Sequence, residues 1–207
     1  MNDITLFEAI HTQRAIRNFS AAHVPEEAVE TIMEAAIRAP SGGNRQGWSF
    51  LIIRDRDVKR QFGEWYVDAW HRLTSDMDFQ SPAAQPYRPS MLTHSMEDIP
   101  VLILACQQRP AAGNSPDGIT SGASIYPAVQ NIMLAARALG LATVLTTLHT
   151  SHEQEVKELL GIPGNVDTAA LIPLGYPAEG QRFTSSKRRP LREVMFFEKW
   201  GDTRQVS

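Results

Sequence analysis

The order of apolar and polar positions predicts helices that alternate with short buried strands. Apolar residues recur at helical spacing in five stretches, near residues 5–11, 26–38, 55–74, 125–139 and 152–160. Four short, continuous apolar runs, at residues 48–53, 99–105, 141–148 and 169–175, are typical of strands. This alternation predicts an α+β or α/β fold in which helices flank a central sheet.

Local signals set the expected ends of several elements. Thr5 and Glu8 have the spacing of a capping box, so the first helix should begin there. Pro40 disfavours α geometry at the preceding residue and should end the second helix. Ser151 has the spacing of a cap for the last helix, and Pro173 suggests that the last strand lies at a sheet edge or is near its end.

Residues 1–207 are expected to form one domain, because a chain of 207 residues with 43% hydrophobic composition can bury one large core. From about Thr74 to Asp98 three prolines interrupt a segment without a steady period. Long irregular insertions in compact domains often serve as lids or binding loops. We therefore expect a lid or substrate loop at about residues 64–98, with a partner-covering arm or disorder as alternatives. A second turn-rich segment spans residues 107–122.

Charge and motif content exclude several classes of function. The net charge of -3 gives no general basic field, so neither nucleic acid nor a membrane surface is an expected partner. No apolar run is long enough to span a bilayer and no secretory signal is visible, so we expect a cytoplasmic protein. The single cysteine, Cys106, should be a buried structural thiol. Six scattered histidines predict no metal site, and the glycine motifs of Rossmann, P-loop and hydrolase proteins are absent.

Polar groups gather in the turn formed by residues 39–48, between a predicted helix and a predicted strand. Two glycines allow a close approach to the backbone, and Ser41, Asn44 and Gln46 offer donors and acceptors. A planar ligand edged with carbonyl and ring nitrogen groups would suit this turn. The alternative is an ordinary turn in which these side chains cap nearby backbone groups.

Two groups of cations near opposite ends of the chain could bind an anion. Arg14 and Arg17 follow the first helix, and guanidinium groups match phosphate oxygens. Five further cations lie within residues 182–192, namely Arg182, Lys187, Arg188, Arg189 and Arg192. Either group could instead be a solvated basic surface. Together with the polar turn, they favour a planar cofactor that carries a phosphate.

The chain resembles the nitroreductase family of FMN-dependent oxidoreductases over nearly its whole length. Four stretches match family patterns in the family's order: residues 13–19, 39–48, 130–141 and 173–177. The last of these reads Pro-Leu-Gly-Tyr-Pro. Departures occur at Gln13 and Ala15, where Arg and Ser are common, and at Gly47, where Pro is usual.

The resemblance implies a mostly antiparallel central sheet flanked by helices, in an entwined homodimer with FMN at the interface. It implies that Arg14 and Arg17, with Lys187, Arg188 and Arg189, hold the phosphate and ribityl, and that Ala15 lies beside them. Pro40, Ser41, Asn44 and Gln46 would meet the flavin ring, and backbone N–H groups at Leu145, Thr146 and Thr147 would face its reactive side. Half of each site would come from the partner subunit.

The activity implied by the resemblance is ping-pong transfer of electrons from NADH or NADPH, through flavin N5, to a small electron-poor acceptor such as a nitroaromatic or a quinone. No catalytic side chain is required in such a scheme, and we assign none. The fold also leaves open dehalogenation, azoline-type dehydrogenation and non-enzymatic flavin binding. The departures at positions 13 and 15 would be consistent with the last of these.

Overall fold

A computed structural model describes residues 4–109 and 120–203 of the chain. Most of the turn-rich segment predicted at residues 107–122 therefore lies outside the described residues. Within the described ranges, no helix combines the length and the apolar character needed to cross a membrane.

The structure forms helices and strands in the alternating order that the sequence predicts. The α-helices are Leu6–Thr12 (α1), Glu26–Ala36 (α2), Arg56–Thr74 (α3), Met91–His94 (α4), Ile125–Ala138 (α5) and Glu153–Leu160 (α6). The strands are Trp48–Ile53 (β1), Val101–Gln108 (β2), Ala142–Thr143 (β3) and Val166–Gly175 (β4). Short 3-10 turns join several of these elements.

The four strands form one sheet in the order β1-β2-β4-β3, and each neighbouring pair is antiparallel. This confirms the predicted α+β fold with a mostly antiparallel central sheet. Side chains alternate along β2, and both of its faces are buried. Leu102, Leu104 and Cys106 pack against a cluster with α3, α4 and α6. Val101, Ile103 and Ala105 pack against a second cluster with α2 and α5.

Helix starts are fixed by side chains close in sequence. Thr5 Oγ1 accepts from the backbone N–H of Glu8 at 3.1 Å, as the capping-box spacing predicts. Asp55 caps α3 by accepting from the N–H groups of Asp57 and Val58, each at 2.9 Å. The predicted cap at Ser151 is wrong, because α6 follows His152, whose side chain makes no capping bond.

The third strand is much shorter than the predicted run of residues 141–148. β3 pairs with Leu174 and Gly175 of β4, and the next position of that ladder lies opposite Pro173. Proline has no N–H group to donate, so the ladder breaks there. One bridge, between Thr146 and Leu171, follows the break. The edge interpretation of Pro173 is wrong, because β4 is an interior strand and Pro173 instead lies near its end.

The predicted irregular segment at residues 64–98 is more regular than its sequence indicates. Its first part belongs to α3, and its last part buries Leu92 and Met96 completely against that helix. Lys59 Nζ donates to the carbonyl of Ile99 at 2.6 Å, which ties α3 to the start of β2. Residues 75–90 form a connection with a 3-10 turn at Pro82–Tyr87. A lid role for this segment stays a prediction.

Candidate functional site

A cavity of about 290 Å³ lies beside the chain that leaves β3. Its walls come from α3, from residues 86–93 and from residues 144–148, and Arg17 reaches it from the N-terminal segment. The lining residues are Arg17, Tyr66, Trp70, Leu73, Pro86, Tyr87, Arg88, Ser90, Thr93, Val144, Leu145, Thr146, Thr147 and Leu148. Four predicted site residues, namely Arg17, Leu145, Thr146 and Thr147, therefore meet at one cavity.

The backbone at residues 145–147 presents free donors at this cavity. Thr146 exchanges two hydrogen bonds with Leu171 of β4, at 3.0 and 2.9 Å. In extended chain, successive N–H groups point in opposite directions, so those of Leu145 and Thr147 point away from β4. Within residues 4–109 and 120–203, neither of these N–H groups has an acceptor. They are available to a ligand, as the resemblance implies.

The N-terminal segment brings Arg17 to the cavity by pairing with the sheet. The N–H of Ile16 donates to the carbonyl of Thr143 at 3.0 Å, and Ile16 and Phe19 are both buried. These two apolar side chains therefore fix the segment, and Arg17 lines the cavity from the N-terminal side. In the described residues, the segment pairs through isolated bridges at Ala15 and Phe19 rather than as a strand.

Tyr66 lies on α3, and its hydroxyl is close to Arg17 and Thr146 within the cavity wall. Burial raises the pKa of the Tyr66 hydroxyl, while the Arg17 charge and the nearby Thr146 side chain oppose that rise. A neutral hydroxyl thus remains beside the free backbone donors at neutral pH. Tyr66 thus connects α3 to residues 145–147, which follow β3 and carry those donors.

The cavity is electropositive because its two cations are not neutralised. None of its lining residues is Asp or Glu. Arg17 and Arg88 form no ion pair with any carboxylate in the described part of the chain. Among the described residues, the only side-chain hydrogen bond of Arg88 is a long one of 3.5 Å to the carbonyl of Phe79. An anionic or electron-rich ligand is therefore favoured at this cavity.

Arg14 and Ala15 are close in sequence to Arg17 but outside the cavity wall. Arg14 is exposed and donates to Thr184 Oγ1 at 2.7 Å. Ala15 forms a parallel bridge with Thr143 of β3. The structure thus separates the two arginines that the sequence treats as one clamp, and it ties Arg14 to the C-terminal segment instead.

The C-terminal basic residues are exposed and do not line the cavity. Arg188 Nη1 donates to the carbonyl of Lys187 at 3.2 Å. Arg189 is held by Glu193, whose carboxylate and carbonyl oxygens each accept at 3.2 Å. Thr184 is the point at which this region contacts Arg14. Lys187, Arg188 and Arg189 follow Thr184, which contacts Arg14, and none of them lines the Arg17 cavity.

The polar turn is fixed by its own hydrogen bonds. Ser41 Oγ accepts from the N–H of Gln46 at 3.0 Å, and Asn44 Oδ1 accepts from Gln46 Nε2 at 3.1 Å. Asn44 and Gln46 have positive φ angles of 53° and 51°, an uncommon conformation for residues with a side chain. Such strained backbone is often found at ligand sites.

The turn lines a separate hollow of about 440 Å³, formed with the start of α5. Pro40 and Ser41 line this hollow, and the N–H of Gly42 donates to Ser124 Oγ at 3.3 Å. The structure of the chain therefore does not bring Pro40, Ser41, Asn44 and Gln46 to the Arg17 cavity. Gly47 has no positive φ, and its carbonyl accepts from Gln108 at 2.7 Å, which attaches the turn to β2.

Sequence patterns missed several residues of the cavity. Tyr66 and Trp70 belong to an aromatic-rich helix whose side chains resemble core residues by spacing alone. Arg88 and Ser90 come from the segment without a period, where nothing local indicates a function. The sequence shows that these segments contain arginines and aromatic residues. Only the folded chain shows which of these residues line the same cavity.

Cys106 and His149 are buried titratable groups that lie outside the cavity. Cys106 is fully buried, and burial raises the pKa of its thiol to about 11, which confirms the predicted structural thiol. His149 is 1% exposed, and burial lowers its pKa to about 4. In the described ranges, no three His, Cys, Asp or Glu side chains are arranged to hold a metal ion.

A sequence model described as "Nitroreductase family" matches residues 10–176, which include the N-terminal arginines, the polar turn and all four strands. The chain belongs to the nitroreductase family. A relative from Methanothermobacter thermautotrophicus, named "Putative NADH dehydrogenase/NAD(P)H nitroreductase", is 30% identical over 181 residues, which are 86% of this chain and 81% of the relative.

Not every protein that is similar to this chain is named a nitroreductase. Iodotyrosine deiodinase 1 of Mus musculus is 27% identical over 207 aligned residues, covering 94% of this chain and 70% of that protein. A solved structure from Desulfovibrio desulfuricans, described as a "putative nitroreductase in complex with fmn", has a TM-score of 0.69 and 28% identity, covering 96% of this chain and 99% of that one. Family membership thus leaves the reaction open.

Proposed function

We propose that this nitroreductase-family protein is an FMN-dependent oxidoreductase that passes electrons from NADH or NADPH to a small electron-poor acceptor, such as a nitroaromatic or a quinone. The observation that carries the proposal is the carboxylate-free cavity with the unpaired Arg17 and the free N–H groups of Leu145 and Thr147. The names of the relatives from Methanothermobacter and Desulfovibrio support the donor and the cofactor.

The residues present fit FMN in chemical type. Arg17 and the two free N–H groups offer donors to the oxygen and nitrogen edge of a flavin ring. Arg14, Lys187, Arg188 and Arg189 supply cations for a phosphate, and Ala15 lies beside them. Pro40, Ser41, Asn44 and Gln46 would meet the ring from a second protomer, since within one chain none of them lines the Arg17 cavity, and Pro40 and Ser41 line a different hollow.

Bound FMN supplies two-electron chemistry at N5, and the chain's own residues position and stabilise it. With FMN bound at this cavity, the free N–H groups and the Arg17 charge would favour electron-rich ring states through their positive potential. For a nitro acceptor the balanced reaction is ArNO₂ + NADPH + H⁺ → ArNO + NADP⁺ + H₂O. No side-chain acid or base is assigned, so the protons come from solvent.

A homodimer would explain an apolar surface that one protomer leaves open. On α1, Leu6 is 64% exposed and Phe7 72% exposed, and Ile10 is also exposed. Trp200 in the C-terminal segment is 93% exposed. Large exposed apolar groups that are close together are typical of interaction sites. The proposed entwined homodimer would bury these groups and bring the polar turn of one protomer to the Arg17 cavity of the other.

A spectrum of the purified protein before and after addition of a reductant tests the function. We expect a yellow protein with FMN bound, whose visible absorbance is lost when NADH or NADPH is added without oxygen and returns when a quinone or nitroaromatic is added. Parallel lines in double-reciprocal plots would support ping-pong kinetics. A colourless protein that takes up no FMN would refute the proposal. Bound FMN that neither donor reduces would favour a flavin-binding protein without this activity.

Replacing Arg17 by Ala tests whether the cavity is the cofactor site. We expect the dissociation constant of FMN to rise about tenfold, because hydrogen bonds to charged groups contribute about 1.5–3 kcal/mol. Arg38→Ala removes an exposed arginine outside the cavity and serves as the control. Equal FMN affinity in the Arg17 and Arg38 variants would place the cofactor elsewhere.

Reductive dehalogenation is a second candidate, favoured by the similarity to iodotyrosine deiodinase 1 of Mus musculus. In that reaction an aryl iodide accepts two electrons and two protons and is converted to the arene and HI. Iodide release from 3-iodotyrosine, measured without oxygen in the presence of NADPH, separates the two candidates. A rate of iodide release higher than the rate of nitroaromatic reduction would favour dehalogenation as the function.

A further inference from the structure

Arg88 is the cation of the cavity for which the proposed cofactor gives no role. It follows the 3-10 turn Pro82–Tyr87 and lies far in sequence from the cations expected to meet the phosphate. Its side chain is exposed and, within residues 4–109 and 120–203, has one acceptor, the carbonyl of Phe79 at a long distance of 3.5 Å. Since no carboxylate lines the cavity, the charge of Arg88 is available to a ligand.

The wall beside Arg88 is aromatic and apolar. Tyr66, Trp70, Leu73, Pro86 and Tyr87 line the same cavity. Trp70 stacks on Phe79 with ring centroids 5.7 Å apart, and its Nε1 donates to the carbonyl of Tyr87 at 3.0 Å. These contacts hold the segment that carries Arg88 against α3. A flat aromatic ligand would contact such a wall over much of its surface.

We infer that the acceptor taken by this cavity is an aromatic molecule with an anionic substituent, such as a carboxylate or a phenolate, and that Arg88 pairs with that anion. This inference rests on the proposed function and adds the substrate class of the same site. An arginine fork matches a carboxylate with two parallel N–H donors, while the aromatic wall holds the ring. Arg17 stays with the cofactor, so the two cations have separate roles.

A matched pair of acceptors tests the inference. 4-Nitrobenzoate and 4-nitrobenzamide differ in charge but little in shape. In R88L, the ratio of kcat/KM for the acid to kcat/KM for the amide should fall about tenfold, because a charge-assisted bond is lost at a partly exposed site. R88K, which keeps the charge, should lose less of that ratio. R38L, which removes an exposed arginine away from the cavity, is the control.

Binding without turnover provides a second readout. The dissociation constant of benzoate, measured by calorimetry on the FMN-loaded oxidised protein, should rise about tenfold in R88L, and the difference from wild type should shrink as salt is added. Because benzoate is not reduced, this measurement decides the inference even if neither donor reduces the flavin.

Several results would overturn the inference. If R88L leaves either the ratio of kcat/KM for the acid to kcat/KM for the amide or the dissociation constant of benzoate unchanged, Arg88 does not bind the anion. A loss confined to FMN affinity would assign Arg88 to the cofactor. A higher KM for NADPH but not for NADH would assign it to the donor's extra phosphate. By contrast, a wild-type protein without FMN, or one that reduces neither acceptor, would count against the proposed function.

Discussion

Replacing His149 by Leu should remove much of the protein's sensitivity to mild acid. His149 lies in the 3-10 turn Leu148–His152, just after the cavity wall, and is 1% exposed. Neither ring nitrogen has a hydrogen-bond partner among the described residues. Burial therefore lowers the pKa of His149 from 6.5 to about 4, although the nearby Glu153 carboxylate opposes that shift.

The sign and size of the effect follow from proton linkage. Between pH 4 and 6.5 the unfolded chain binds a proton at His149 that the folded chain does not. The free energy of unfolding is thus highest above pH 6.5 and falls as the pH drops towards 4. The full effect amounts to about 3 kcal/mol, since each pKa unit is worth about 1.4 kcal/mol. From about pH 7.5 to about pH 5, the loss is roughly 2 kcal/mol.

Urea unfolding at these two pH values, with FMN in excess, measures the loss in wild type and in His149→Leu. The variant should lose about 2 kcal/mol less than wild type between them. At the higher pH it should be about as stable as wild type, because both unpaired nitrogens are replaced together by an apolar group. His23→Gln, at an exposed position, controls for the loss of an imidazole. Parallel pH profiles in wild type and His149→Leu would refute the reasoning.

Three further outcomes follow from packing and burial. Phe7→Glu should weaken the proposed dimer at least tenfold in analytical ultracentrifugation, whereas Phe7→Leu should not; a monomeric wild type would contradict the interface. Gly175→Ala should lower the free energy of unfolding by about 1–3 kcal/mol, since a Cβ there would lie 3.0 Å from Pro100 Cδ and 3.3 Å from Phe19 Cβ; Gly164→Ala, with open space around it, should not. Cys106 should resist thiol reagents until the protein is unfolded, and rapid labelling of the native protein would contradict its raised thiol pKa of about 11.

Much of the fold could be predicted because its signals are local. The apolar spacing of α2 and α5, the cap at Asp55 and the apolar run of β2 each act within a few residues. The errors arose where a distant partner decides the outcome. Pro173 breaks the pairing of a strand about thirty positions before it, so residues 141–148 do not continue as one strand.

The candidate site follows the same division. The sequence indicated Arg17 and residues 145–147, and the structure brings them to one cavity. The sequence did not indicate Tyr66 or Arg88. These residues line the cavity only because α3 and residues 86–93 pack against residues 144–148, which follow β3. The sequence also treated Arg14 and Arg17 as one clamp, although a hydrogen bond to Thr184 directs Arg14 elsewhere.

The hydrogen bond from Ile16 to Thr143 joins segments from opposite halves of the chain. Such a contact closes a very long loop. The entropic cost of closing it is offset only by the contacts that form when the intervening sheet and helices are in place. The Arg17 cavity therefore cannot exist before the sheet is complete. Uptake of FMN at this proposed site during refolding should accordingly coincide with the last step in which native structure is gained, so bound FMN would measure how many molecules have folded correctly.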